Sequence, residues 1–208
     1  MSTEPSPERE SESADAHRLI AACFDALDGV PAMLAAEPGL LVARTTGGET
    51  AFHWLAVERR LDAMQVIAAC GAGLDAVDGY GMTALAYAAE HGEEAMAAWL
   101  LAQGARIDVP GECAPTLHWA VRGGRPAIVS MVLAAGADVD RASRGGNTAL
   151  HDAARSDASI GILGHLLAAG ATDGRANRRG QTPLDLAHAN GATAAVALLE
   201  AHPHERRT

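Results

Sequence analysis

The residues of this 208-residue chain that could do chemistry are nine histidines and three cysteines. His53, His118 and His151 recur at multiples of about 33 residues, each three positions after a threonine or proline. That spacing predicts three rings that stand at least one full structural unit apart. Packed helices stand about 10 Å apart, so such rings do not converge on one tetrahedral ion with ligand bonds near 2 Å. They read as structural histidines that satisfy their hydrogen bonds locally. His202, His204 and Glu205 form a second cluster that could take up a divalent ion weakly, but a frayed polar terminus accounts for it better. No metal site is expected.

Cys23, Cys70 and Cys113 lie 47 and 43 residues apart, with no CxxC pair and an odd total. Neither a disulfide framework nor a zinc site follows. Cys23 and Cys70 stand among Ala, Leu and Ile and read as packing residues. Cys113 differs, because Pro110-Gly111-Glu112-Cys113-Ala114-Pro115 is a turn sequence that could expose a thiol. A nucleophilic cysteine needs an oriented base, and the sequence identifies none beside it. No catalytic residue is assigned, and a small thiol-dependent hydrolase stands only as the remote alternative.

Composition removes further classes. All 16 basic residues are arginine, so the lysine of a P-loop and the lysine of a Schiff-base enzyme are both missing, and no cofactor is expected. With 26 acidic residues the formal charge is −10, which disfavours nucleic acid as a partner. Residues 1–15 carry five acidic side chains and no apolar run, which reads as a disordered acidic tail rather than an export signal. No stretch of 18 apolar residues predicts a membrane span. A cytoplasmic protein with reduced thiols is expected, and the lack of lysine beside abundant Ala, Arg and Gly suggests a GC-rich bacterial genome. Hydrophobic residues make up 49% and aromatics only 3%, so the core must be closely packed helices with small and aliphatic side chains.

The elements that position these residues are repeated. Thr50-Ala51-Phe52-His53-Trp54-Leu55-Ala56, Thr83-Ala84-Leu85-Ala86-Tyr87-Ala88-Ala89, Pro115-Thr116-Leu117-His118-Trp119-Ala120-Val121, Thr148-Ala149-Leu150-His151-Asp152-Ala153-Ala154 and Thr182-Pro183-Leu184-Asp185-Leu186-Ala187-His188 recur with their third residues 33, 32, 33 and 34 apart. After the first four, at 19 or 20 residues, come Gly71, Gly104, Gly136 and Gly170, each followed by alanine. The threonines are placed to cap helices, and Pro183 sits where a first turn tolerates proline. Between the two motifs, Met64 and Ile67, Met96 and Leu100, Ile128 and Val132, and Ile162 and Leu166 form one apolar stripe per second helix. The glycines then fall where a helix ends in a left-handed residue. Gly81, Gly145, Gly146 and Gly180 mark tight turns between units.

This pattern resembles the ankyrin repeat over roughly residues 16–201. The resemblance implies an all-α solenoid of about six helix-turn-helix units joined by short β-hairpin loops. The units span about 16–44, 45–77, 78–109, 110–142, 143–176 and 177–201, with tails at 1–15 and 202–208. It also implies that the motif histidine braces the backbone near each repeat junction. Around Cys113 the sequence departs from the family: the turn is one residue short and the usual T-P order is exchanged for Pro115-Thr116, so irregular geometry is expected there. Trp54, Tyr87 and Trp119 share one motif position, either as a surface row of aromatic anchors or, preferably, as core.

Ankyrin proteins generally bind partners with their turn tips and the exposed ends of their first helices, the concave side. Carried onto this chain, those positions are Val57, Glu58, Tyr80, Met82, Glu90, His91, Glu112, Arg122, Arg144, Asn147, Arg155, Ser156, Arg178, Arg179, Gln181 and Asn190. The early ones are acidic and apolar, while the late ones include five arginines. Such a polarised face could orient a partner, or it could be ordinary solvated charge. The acidic tail could also fold back over the arginine end. The expected function is non-enzymatic: a monomeric adaptor or regulator that binds another protein, or alternatively a dedicated inhibitor or protector of a partner enzyme.

Overall fold

The computed structural model describes residues 7–202. Its helices run in six consecutive pairs. The first helices are α1 (Pro7–Asp25), α3 (Ala51–Val57), α5 (Ala84–His91), α7 (Thr116–Arg122), α9 (Ala149–Ala153) and α11 (Pro183–Asn190). The second helices are α2 (Val30–Ala36), α4 (Leu61–Ala69), α6 (Glu94–Ala102), α8 (Pro126–Ala134), α10 (Ile160–Ala168) and α12 (Thr193–Ala201). Each first helix packs on the first helix of the next pair, and α6, α8, α10 and α12 follow one another in a second row. The result is a two-layer all-α solenoid.

Helices of five to nine residues, as all but α1 are, are marginal alone, so their stability comes from the apolar faces that neighbours cover. The predicted stripe is that face: Met64, Ile67, Met96, Leu100, Ile128, Val132, Leu163 and Leu166 are all sealed. They join Leu55, Leu85, Leu117 and Leu150 of the first helices in one continuous core. Alanines at 56, 88, 120 and 153 are fully buried, small side chains that suit closely packed helices. The glycines at 71, 104, 136 and 170 adopt the left-handed conformation expected of them.

The links between pairs are tight turns. Thr45 N–H donates to Glu49 O, Asp78 to Met82 O, Ser143 to Asn147 O and Asn177 to Gln181 O, at 2.8 to 3.0 Å. Among the described residues none is assigned to a strand, so the expected β-hairpins are hydrogen-bonded turns. The turn at 109–113 is irregular, as its shortened sequence foretells: Glu112 N–H bonds back to Val109 O at 3.3 Å and helix α7 starts after Pro115.

One boundary departs from expectation. Residues 7–15 are not a disordered tail but the opening turns of α1, and Ser13, Ala16, Leu19, Ile20 and Cys23 bury one stripe against the stack. This segment lies at the end of the solenoid remote from Arg178, so it is not free to cover the arginine end. Residues 1–6 of the proposed tail lie outside the described residues, as do His204 and Glu205 of the proposed terminal cluster. No helix among the described residues is long and apolar enough to cross a membrane.

Candidate functional site

The motif histidines are committed to the backbone. The Thr50 N–H donates to His53 Nδ1 at 3.0 Å, so that nitrogen is the acceptor and Nε2 carries the proton. His53 Nε2 then donates across the junction to Ala76 O at 2.9 Å and Met82 O at 3.1 Å. His151 repeats the arrangement, accepting from Thr148 N–H at 3.1 Å and donating to Gln181 O at 3.0 Å. Burial lowers the pKa of both rings below the ordinary histidine value, so the neutral form is the one held. In the last pair Asp185 takes the histidine's place, accepting from Thr182 N–H at 2.8 Å, and that bond with the Thr182 hydroxyl lowers its carboxyl pKa.

His118 is different because Pro115 stands at its helix cap. Proline has no N–H to give, so Nδ1 turns instead to Asp152 Oδ2 at 2.8 Å, on the first helix of the next pair. Nε2 meets Arg141 O at 3.0 Å. Both ring nitrogens are thus engaged in hydrogen bonds. Because both are engaged, His118 offers no free base to Cys113, which is half-buried. Cys23 is sealed in the core, and burial pushes its thiol up to about 11. Among the described residues no group of three or more His, Cys, Asp or Glu side chains is arranged to hold a metal ion.

The sequence-derived contact positions separate by burial. Glu58, Tyr80, His91, Arg122, Arg144, Arg155, Ser156, Arg178, Arg179 and Asn190 are exposed, and Val57 is 37% exposed. Glu90, Asn147 and Gln181 are half-buried. Met82 is a correction: its side chain is buried in the core, and its backbone serves the Asp78 turn and the His53 bridge. Glu112 is also turned inward, its carboxylate 3.3 Å from Arg141 and its pKa raised by burial.

The arginines fall into two groups. Arg141 pairs with Asp108 and Glu112, and Arg122 lies 3.6 Å from Asp152 with its guanidinium over the Trp119 ring at 4.9 Å. Arg144, Arg155, Arg178 and Arg179 make no ion pair among the described residues, and the Arg144 guanidinium donates to Gly111 O at 3.2 Å. Arg144 and Arg178 join Arg141, Glu112 and Cys113 around a cavity of about 240 Å³ at the turn tips. The tips themselves are locked together: Gly79 N–H reaches Gly47 O, Cys113 N–H reaches Gly81 O, and Arg178 N–H reaches Gly145 O, at 2.9 to 3.3 Å.

The aromatic row divides. Trp119 is core, donating its indole N–H to Ala114 O at 3.2 Å, whereas Tyr87 is half-buried and Trp54 is 37% exposed. Trp54 and Tyr87 line a cavity of about 170 Å³ together with Glu49, His53 and Val57. The Tyr87 hydroxyl donates to Asp78 Oδ2 at 2.7 Å, and burial, that bond and the nearby carboxylates of Asp78, Glu49 and Glu90 raise its pKa.

Sequence reasoning missed the aspartates that tie turns and junctions. Asp78 Oδ1 accepts from the N–H groups of Tyr80 and Met82, and Asn177 does the same for Arg179 and Gln181. Asp157 reaches forward to the N–H groups of Ala194 and Ala195 at the start of α12. The signal for the first two was the Asp or Asn that opens each turn, a residue that bonds its own backbone two residues on.

The family model for ankyrin repeats (three copies) matches residues 19–110 and 117–206. No curated protein matches the chain. Ankyrin repeats are generally protein–protein interaction modules. With that match over most of its length, and with capped first helices and left-handed glycines recurring in register, the chain belongs to the ankyrin-repeat family.

Proposed function

We propose that this protein is a non-enzymatic adaptor or regulator that recognises one partner protein on the concave face formed by its turn tips and the exposed ends of its first helices. The observation that carries this reading is the set of guanidiniums at Arg144, Arg155, Arg178 and Arg179, all exposed and without carboxylate partners among the described residues. Folding does not require them. Arginine forks of this kind suit carboxylates on a partner, and the hydrogen-bonded tips hold the backbone beneath Arg144 and Arg178 in fixed register. Glu58 and Glu90 give the other end the opposite sign, so a partner with complementary charge docks in one direction. The thiol-enzyme alternative loses support, because the three motif histidines spend both ring nitrogens on hydrogen bonds.

The test is affinity capture from the source cells with the native chain and a Tyr80→Ala, Arg144→Glu, Arg178→Glu, Arg179→Glu variant of unchanged helical content. A partner held by the native chain and lost by the variant supports the reading. The same proteins captured by both would reject this face.

A further inference from the structure

The cavity between α3 and α5 combines features that the general reading leaves unused. Trp54, Tyr87 and Glu49 line it. Glu90 stands one turn beyond Tyr87 on the same helix, close enough for its charge to act on the phenol. His53 also lines it, both ring nitrogens engaged in hydrogen bonds. At about 170 Å³ the space is smaller than the roughly 300–1,000 Å³ of small-molecule sites and suits a single side chain.

The chain itself shows what this motif position attracts. In the fourth pair, Trp119 carries the guanidinium of Arg122, three residues on, over its ring at 4.9 Å. In the second pair the residue three after Trp54 is Val57, so Trp54 has no such cation from its own helix. The neighbouring arginines are committed elsewhere. Arg44 donates to Gly48 O and Val77 O, Arg59 pairs with Glu93, and Arg60 pairs with Asp62. Glu49 accepts the Thr45 hydroxyl on one oxygen and retains acceptor capacity on the other.

We propose that this notch receives one lysine or arginine side chain from the partner protein, its cationic head against the Trp54 and Tyr87 faces and its charge met by Glu49 and Glu90. The inference rests on the protein-binding reading above and adds the chemistry of one anchor residue. An aromatic face with an adjacent carboxylate attracts a cation while a neutral isostere gains only contact area.

The test is titration of the full chain with the peptide acetyl-Gly-Arg-Gly-amide and with its citrulline counterpart. The readout is the Trp54 indole N–H resonance, assigned through Trp54→Phe. The arginine peptide is expected to shift this resonance saturably, with citrulline at least about tenfold weaker and Glu49→Gln weakening the arginine peptide about tenfold. Equal shifts from both peptides, no shift from either, or no effect of Glu49→Gln would overturn the proposal. None of the residues changed in the capture variant lines this notch, so an inactive notch beside arginine-dependent capture removes this inference alone.

Discussion

His118 Nδ1 lies 2.8 Å from Asp152 Oδ2, and the two side chains, 0 and 4% exposed, join the first helices of successive repeats. The pair exists because Pro115 cannot supply the N–H that His53 and His151 receive from their capping threonines. A buried carboxylate bonded to an imidazole is costly to break from one side, since the partner is left without its bond. Asp152→Ala is therefore expected to destabilise the fold by about 3 kcal/mol in urea unfolding, with Asp152→Asn costing less because its carbonyl still accepts. An Asp152→Ala variant as stable as the parent would show that the pair contributes nothing.

Two glycines separate conformational strain from steric clash. Gly136 sits at φ +97° with open space where a Cβ would go, so Gly136→Ala is expected to cost about 1 kcal/mol through backbone conformation alone. At Gly79 an added Cβ would lie 2.3 Å from Gly47 O, a backbone atom of the neighbouring turn. Gly79→Ala should cost more than Gly136→Ala and should loosen the tip hydrogen bond, visible as faster amide exchange at residue 79.

Acid should weaken the stack through its bracing histidines. Burial lowers the folded pKa of His53 and His151 below the ordinary 6.5, so below pH 6.5 the unfolded chain takes up protons that the folded rings refuse. Their stability contribution is complete above that value and falls as the pH drops toward the folded values. Glu112, raised above 4.5 by burial, acts with opposite sign, gaining its proton first in the folded state. His53→Gln should therefore flatten the stability slope below pH 6.5 by up to about 1.4 kcal/mol per pH unit, measured as denaturant midpoints. An unchanged slope would mean that His53 does not titrate differently on folding.

The thiols should react in the order of their burial. Cys23 is sealed and its thiol raised to about 11, while Cys70 and Cys113 are half-buried. Iodoacetamide at pH 8 is expected to label Cys70 and Cys113 in the native chain and Cys23 only after unfolding, as read by peptide mass mapping.

The register of the fold was legible because each unit repeats its cap, stripe and glycine, and Thr50, Thr83, Thr148 and Thr182 all begin helices as expected. The start of α1 was not legible. Its buried stripe opens with Ser13 and Ala16, residues too small or polar to announce a core face within an acidic run. Met82 was misplaced because position along a turn does not reveal that the fifth residue points into the stack, where it packs against the core. Trp54 and Trp119 occupy the same motif position, yet one is 37% and the other 9% exposed: Trp119 is covered by Arg122 and bonded to Ala114 O, whereas Trp54 has Val57 where Arg122 stands.

The central claim is that a partner lies on the turn tips and first-helix ends, and amide hydrogen exchange of the chain with and without its captured partner tests it most directly. Slowed exchange is predicted in the turns at 78–82, 143–147 and 177–181 and at the ends of α5, α7 and α9, with α8 and α10 unchanged. Protection concentrated on α8 and α10 instead would place the partner on the second-helix row and contradict the account.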